Sequence, residues 1–305
     1  MPVPSRTCGS ALIRMLRAGI CNTDLELQRG YYNFRGVPGH EFSGLVVESD
    51  TLILAGKRVV GEINLACGHC EYCAIGLVRH CLNRAVLGIV NHPGAFATYF
   101  TLPEANLHPI PDEISDEEAV FVEPLAAACE ILDQVAIPAG AEVAVLGDGK
   151  LGLLIAQTLR AHQADVIVYG RHEAKLEIAR RSGSRVSLAN DPPLGKYQVV
   201  IEATGSATGL RQAVRMTRPR GTVVLKSTVH GEVSLDTAPV VVHEITLVGS
   251  RCGRFAPAIE LLRQRKVDVS GMIAARFPLS EAAAAFAEAA RPGVLKVLLE
   301  NDHRS

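Results

Sequence analysis

Two sets of metal-binding residue types stand out in this 305-residue chain. Cys67, Cys70, Cys73 and Cys81 follow the spacing C-x2-C-x2-C-x7-C. Four thiolates on one loop suit tetrahedral Zn²⁺, which bonds sulfur at about 2.3 Å, and a closed four-sulfur set keeps no position for a substrate. The loop therefore reads as a structural zinc site. Its spacing differs from a zinc ribbon, whose two C-x2-C pairs lie about 15–20 residues apart, and from iron–sulfur patterns. The second set is dispersed: Cys21, the pair His40-Glu41 and, much later, Glu123. A soft thiolate, an imidazole and carboxylates suit a zinc ion that keeps one position open for substrate. Singly, each is more often core than ligand, so the reading rests on the company they keep.

A third constellation is Gly147-Asp148-Gly149-Lys150-Leu151-Gly152, which reads G-x-G-x-x-G. It follows an apolar run at 142–146 and opens a helical pattern at 150–161. In that context the first glycine permits the tight turn, the second lets backbone approach a pyrophosphate, and the third packs helix on strand. The helix N-terminus then offers free N–H groups to the anion. An NAD site places an acid about 20 residues on, for the ribose 2′-OH. Here the next strand runs into Gly170-Arg171-His172, with Lys175 nearby and no acid at the expected position. The missing carboxylate and the available Arg171 favour NADP over NAD.

The elements that carry these residues fall into two textures. Short β-like runs at 11–16, 44–47, 58–61 and 97–102, broken by glycine and proline, predict a β-rich first domain. Beyond it, apolar strands at 142–146, 166–169, 199–202, 222–225 and 246–248 alternate with helices at 150–161, 173–181 and 207–216. That alternation predicts right-handed βαβ units around a parallel sheet. An amphipathic helix at 256–264, an alanine-rich helix at 280–290 with Ser280 as N-cap, and an apolar strand at 295–299 follow. The expected division is 1–122, completed by 256–305, for the β-rich domain and 123–255 for the parallel one.

Bulk properties narrow the function classes. The residues are 48% hydrophobic and 21% charged, and 31 basic residues balance 32 acidic ones. Such balance gives no support to nucleic-acid or anionic-membrane binding. No apolar run approaches the roughly 18 residues of a membrane span. No signal-peptide pattern opens the chain, so the expected compartment is the cytoplasm. Eight cysteines in a long chain, half of them on one loop, read as metal binding rather than a disulfide framework.

The order of these motifs is itself informative. Cys21-Asn22-Thr23-Asp24, Gly39-His40-Glu41-Phe42-Ser43-Gly44, the four-cysteine loop, Glu123-Pro124-Leu125-Ala126 and the glycine loop follow one another along the chain. In this the protein resembles the zinc-containing medium-chain dehydrogenase/reductase family over nearly its whole length. The nearest branch is the polyol and threonine dehydrogenase-like one, with Glu-Pro-Leu where animal alcohol dehydrogenases carry a third-ligand Cys. The resemblance implies an α/β protein with a GroES-like catalytic domain, a Rossmann cofactor domain and an active site in the cleft between them. It implies two zinc ions per chain and transfer of a hydride between an alcohol, polyol or sugar and NAD(P).

Carried over residue by residue, Cys21 and His40 are catalytic zinc ligands, and Glu41 is a ligand or lies close behind one. Glu123 is the fourth ligand or holds the zinc-bound water. Asp24 orients His40, as metal-bound histidines require. Thr23 relays the alcohol proton, and Lys296 occupies a basic position near the cofactor pyrophosphate. Where many members end the relay with His, this chain has Glu26, a carboxylate able to serve as terminal base. Tyr31, Tyr32 and Phe34 are candidate pocket liners. The apolar run at 245–248 resembles the sheet edge through which family dimers pair, so a homodimer or homotetramer is expected. The alternative function is a non-catalytic, crystallin-like member of the same fold.

Overall fold

The computed structural model describes residues 2–190, 192–228 and 232–302. The chain divides into two units, Met1–Glu123 with Met272–Ser305, and Pro124–Gly271. The return to the first unit, expected at residue 256, comes at Met272. Helix Phe255–Arg263 and the turn after it belong to the second unit, where the Gln157 side chain bonds the backbone of Asp268 at 3.0 Å and 2.8 Å.

The first unit is built around strand Ser10–Gly19, whose Ala11, Ile13, Met15 and Ala18 are fully buried. It pairs antiparallel with Glu41–Glu48, Tyr99–Pro103 and Lys296–Glu300. The last of these is the expected closing strand. Phe42 and Phe100 meet edge to face, 4.7 Å between centroids, and close this core. The register also places the chemistry. Gly19 stands opposite Glu41 on one side and Leu298 on the other, and Ile20 donates its N–H to Val297. Cys21, Glu41 and Lys296 therefore leave or enter three neighbouring strands at one end of the sheet.

The second unit is a six-stranded parallel sheet of Glu142–Leu146, Asp165–Gly170, Arg185–Leu188, Tyr197–Glu202, Thr217–Leu225 and Thr246–Gly249. Counted in that order, the strands lie 3-2-1-4-5-6 across the sheet. This is the doubly wound order, with a crevice beyond the carboxyl ends where the order reverses. Val143, Ala144 and Val145 are fully buried, as expected of a strand covered on both faces. Helices Lys150–Ala161, Glu173–Arg181 and Ala207–Met216 begin and end where the pattern placed them.

Three local features differ from expectation. Helix Asn22–Gln28, which follows Cys21 directly, was not signalled by apolar periodicity because its stabilising contact is the Asp24 carboxylate. Edge strand Arg185–Leu188 is half polar and escaped the apolar pattern. The alanine-rich helix begins at Ala282, not Ser280. The Ser280 hydroxyl instead donates to Asp302, so it caps nothing.

A buried ammonium fastens the carboxyl end of the fifth strand in the second unit. Lys226 Nζ donates to Ala127 O at 2.6 Å, Arg251 O at 2.8 Å and Ser250 Oγ at 3.1 Å. Removing a donor strands buried carbonyls, at about 1–3 kcal/mol each. Lys226→Met is expected to destabilise the protein by about 3 kcal/mol, read as a lower urea midpoint at unchanged slope.

Candidate functional site

At the end of the first sheet, ligand atoms of Cys21, His40 and Glu41 converge, all within 4.8 Å of one another. Asp24 joins the two segments that carry them. Its Oδ2 accepts the Cys21 N–H at 2.8 Å, and its Oδ1 accepts the Gly39 N–H at 3.2 Å. The same Oδ1 lies 3.3 Å from His40 Nδ1, an ionic contact rather than an aligned hydrogen bond. Burial disfavours the His40 imidazolium, but Asp24 and then Cys21 outweigh it and raise its pKa well above the ordinary value. Thr23 Oγ1 is 3.7 Å from Cys21 Sγ, which puts a hydroxyl at the edge of the cluster.

The approach to His40 is fixed by packing. Gly39 has φ +102°, and a Cβ there would lie 2.3 Å from the Phe96 ring. Ala95 and Phe96 donate their N–H groups to Gly39 and Pro38 at 2.9 Å and 3.0 Å. Phe96 in turn stands edge to face with Phe286. These partners come from distant segments, so no local pattern marks them.

Lys296 departs from its expected role. It is 1% exposed, donates to Glu41 Oε2 and lies 5.6 Å over the Phe121 ring. A phosphate does not reach an ammonium so enclosed. Burial acts against its charge, yet Glu41, Cys21 and Glu123 raise its pKa. Glu123 is half-buried and lies outside the converging set of ligand atoms. Its charge is felt at Lys296. Glu26 is also outside that set, held by Arg29 at 2.6 Å in a partly exposed ion pair. That is the contact of a surface charge, and it leaves Glu26 apart from the converging ligand atoms. Phe34 lines a surface cavity of about 250 Å³, Tyr31 is half-buried, and the Tyr32 side chain lies outside the described residues.

The four-cysteine loop is gathered around a point. Cys70 and Cys73 sulfurs are 3.5 Å apart, Cys81 and Cys67 3.5 Å, and Cys70 and Cys81 3.7 Å. A tetrahedron with 2.3 Å zinc–sulfur bonds has edges of about 3.8 Å, so the loop fits the ion. The backbone N–H of His69 brings the Cys67 thiol down to about 6, while desolvation pushes Cys73 up to about 11.

In the second unit the glycine loop has the form a dinucleotide needs. Gly147 has φ +118°, and a Cβ there would lie 2.5 Å from Ala203 O. A Cβ on Gly152 would come 2.1 Å from Gly147 O, so helix and strand need this glycine to close. A Cβ on Gly149 would meet nothing, which leaves that face of the loop free for a pyrophosphate. No side chain caps the helix that starts at Lys150, so its first N–H groups remain available. Leu151 follows in its first turn. Arg171 and Lys175 sit just beyond Gly170, at the end of the neighbouring strand.

Comparison with known proteins agrees with this geometry. Residues 7–112 match the alcohol dehydrogenase GroES-like domain, and residues 151–264 match the zinc-binding dehydrogenase domain. The chain is 28% identical to sorbitol dehydrogenase of Halalkalibacterium halodurans, over 98% of this chain and 93% of that one. A structure from Sinorhizobium meliloti, assigned as a zinc-binding dehydrogenase and bound to NADP, superimposes with TM-score 0.90 at 30% identity, over 98% and 94% of the two chains. An alcohol dehydrogenase from Escherichia coli complexed with NADH gives TM-score 0.89 at 28% identity, over 98% and 94%.

The charge balance of the cluster makes a prediction. Lys296 faces Glu41, Cys21 and Glu123, and removing one partner of a buried pair costs about 3–5 kcal/mol. Lys296→Met is expected to lower the melting temperature by about 10 °C in chelator-treated protein, at roughly 2–4 °C per kcal/mol. Added zinc should restore most of that loss, because a dication takes over the neutralisation. An equal loss with and without zinc would contradict the proposed cluster.

Proposed function

The chain belongs to the zinc-containing medium-chain dehydrogenase/reductase family, and from that premise we propose which of its residues carry the reaction. It is a zinc-dependent oxidoreductase that transfers a hydride between an alcohol and a nicotinamide cofactor. The non-catalytic alternative is not favoured: a converging thiolate, imidazole and carboxylate beside a hydroxyl serve no purely structural purpose. That convergence of Cys21, His40 and Glu41 is the observation that carries the reading.

In the proposed assignment Cys21 and His40 hold the catalytic ion, with Glu41 as the third protein group. A zinc ion there supplies Lewis acidity that lowers the pKa of an alcohol hydroxyl, and the nicotinamide accepts the hydride. Asp24 keeps the segment of Cys21 and that of His40 in one geometry. Thr23 takes the alcohol proton as it gives up its own, which passes outward to water or to the surface carboxylate of Glu26. Lys296 holds Glu41 in place. Glu123 balances charge from farther away. A second zinc in the four-cysteine loop is structural.

Gly147, Gly149, Lys150, Leu151 and Gly152 form the proposed pyrophosphate cradle. Arg171 and Lys175, beyond the acid-free end of the second strand, support a preference for NADP. A four-cysteine metal loop in a long chain supports a reducing compartment, the cytoplasm. The proposed oligomer pairs edge strand Thr246–Gly249 with its copy, near the exposed Val241 and Val242.

The assignment is tested by metal analysis together with turnover of secondary alcohols and polyols. Wild type should carry about two zinc ions per chain. Cys21→Ser should keep about one and lose at least about 100-fold in turnover, since even residues that merely orient a ligand contribute 10–100-fold. Turnover at the wild-type level in Cys21→Ser would sink the assignment.

A further inference from the structure

The position where a ribose-binding acid belongs is vacant in sequence but filled in space. Gly170 ends strand Asp165–Gly170, and a Cβ added there would lie 2.6 Å from both Cβ and Oδ2 of Asp148. Asp148 belongs to the glycine loop, one strand away, and is 7% exposed. Its Oδ2 accepts the backbone N–H groups of Arg171 and His172, each at 2.7 Å. His172 Nδ1 lies 3.0 Å from Oδ2 and 3.2 Å from Oδ1. Burial alone would raise the Asp148 pKa, but these donors hold it below the ordinary range.

The cations beside it are differently placed. In helix Glu173–Arg181, Arg180 pairs with Glu173 and Glu177, and Arg181 with Glu177. Among the described residues, the Arg171 guanidinium and the Lys175 ammonium form no ion pair or hydrogen bond. The Asp148 charge is thus spent inward on two N–H groups and an imidazole. Two positive charges, one on the exposed Arg171 and one on Lys175 in the helix that follows, stand next to that turn.

We infer that Asp148 is a specificity-determining positioning residue: it latches the Gly170–His172 turn so that Arg171 and Lys175 face a 2′-phosphate, and it bars an acid from position 170. This rests on the NADP reading above. A carboxylate at 170 and one at 148 compete for a single volume. With Asp148 in place, that volume contains an acid whose Oδ2 is already occupied by two backbone N–H groups. The pair is therefore coupled: the acid stands on the glycine loop in a phosphate-accepting site and on the strand end in a ribose-accepting one.

Equilibrium titration of NADPH and NADH, followed by cofactor fluorescence, tests this in the full-length zinc-loaded protein. Wild type should bind NADPH more tightly. Asp148→Ala should weaken NADPH by about tenfold, the scale of a lost charge-assisted hydrogen bond, and NADH much less. A role in folding alone would leave the ratio of the two constants unchanged. Gly170→Asp should lower the melting temperature and bind both cofactors poorly. The double variant Asp148→Gly with Gly170→Asp should recover the melting temperature and prefer NADH. The inference is overturned, with the NADP reading intact, if wild type prefers NADPH while Asp148→Ala keeps the same ratio. It is equally overturned if Gly170→Asp alone switches preference without loss of stability. A wild type that prefers NADH and loses it in Asp148→Ala overturns the NADP reading instead, because Asp148 would then be the ribose acceptor.

Discussion

Asp24 is 1% exposed, and its carboxylate is the joint on which the metal cluster depends. Cys21 and His40 lie on separate segments, and nothing in either segment alone fixes their separation. One oxygen of Asp24 takes the Cys21 N–H, while the other takes the Gly39 N–H and faces His40. A buried carboxylate is expensive unless every lone pair is engaged. Here the engagement is the site itself, so an arrangement that separated the two segments would leave an unpaired charge in the interior. The sheet register supplies the rest by bringing Cys21, Glu41 and Lys296 to one end of three neighbouring strands.

The second unit repeats the device with the opposite outcome. Asp148, like Asp24, spends its charge on backbone N–H groups of a distant segment. Around Asp24 the other groups are Cys21, His40 and Glu41, a donor set of thiolate, imidazole and carboxylate, so the cluster is suited to a dication. Around Asp148 the surplus groups are Arg171 and Lys175, so the turn is suited to an anion. Two similar carboxylates thus support sites of opposite sign, and the difference lies in what each one holds still.

Legibility in the sequence followed the range of the interactions. The four-cysteine loop and the glycine loop are local, with spacing and glycines that encode their own geometry, and both were readable. The helices at 150–161, 173–181 and 207–216 were readable for the same reason, since their apolar faces are periodic. Residues whose roles come from distant partners were not. Lys296 reads as a phosphate contact in sequence, because its burial beside Glu41 depends on strand pairing. The ion pair that Glu26 makes with Arg29, three residues on, has no mark in the sequence beyond their spacing. Phe96 gave no signal at all. Asp148 carried one that went unread: an acid inside a phosphate-binding loop needs donors of its own.

The four-cysteine loop shows what packing alone leaves unexplained. Helix Glu71–Ala74 and the turn Val78–His80 contain no buried residue. Ile75 and Leu82 are 70% and 67% exposed, so the loop does not fold inward on its apolar side chains. Its one fully buried side chain is Cys81, with the other three sulfurs around it. Hydrophobic burial on this scale cannot offset the conformational entropy of ordering a loop of this length, at about 1–2 kcal/mol per residue for the backbone alone. Metal–thiolate bonding can, because in small closed sites the binding free energy becomes folding free energy. The structural zinc proposed for these sulfurs would supply that order.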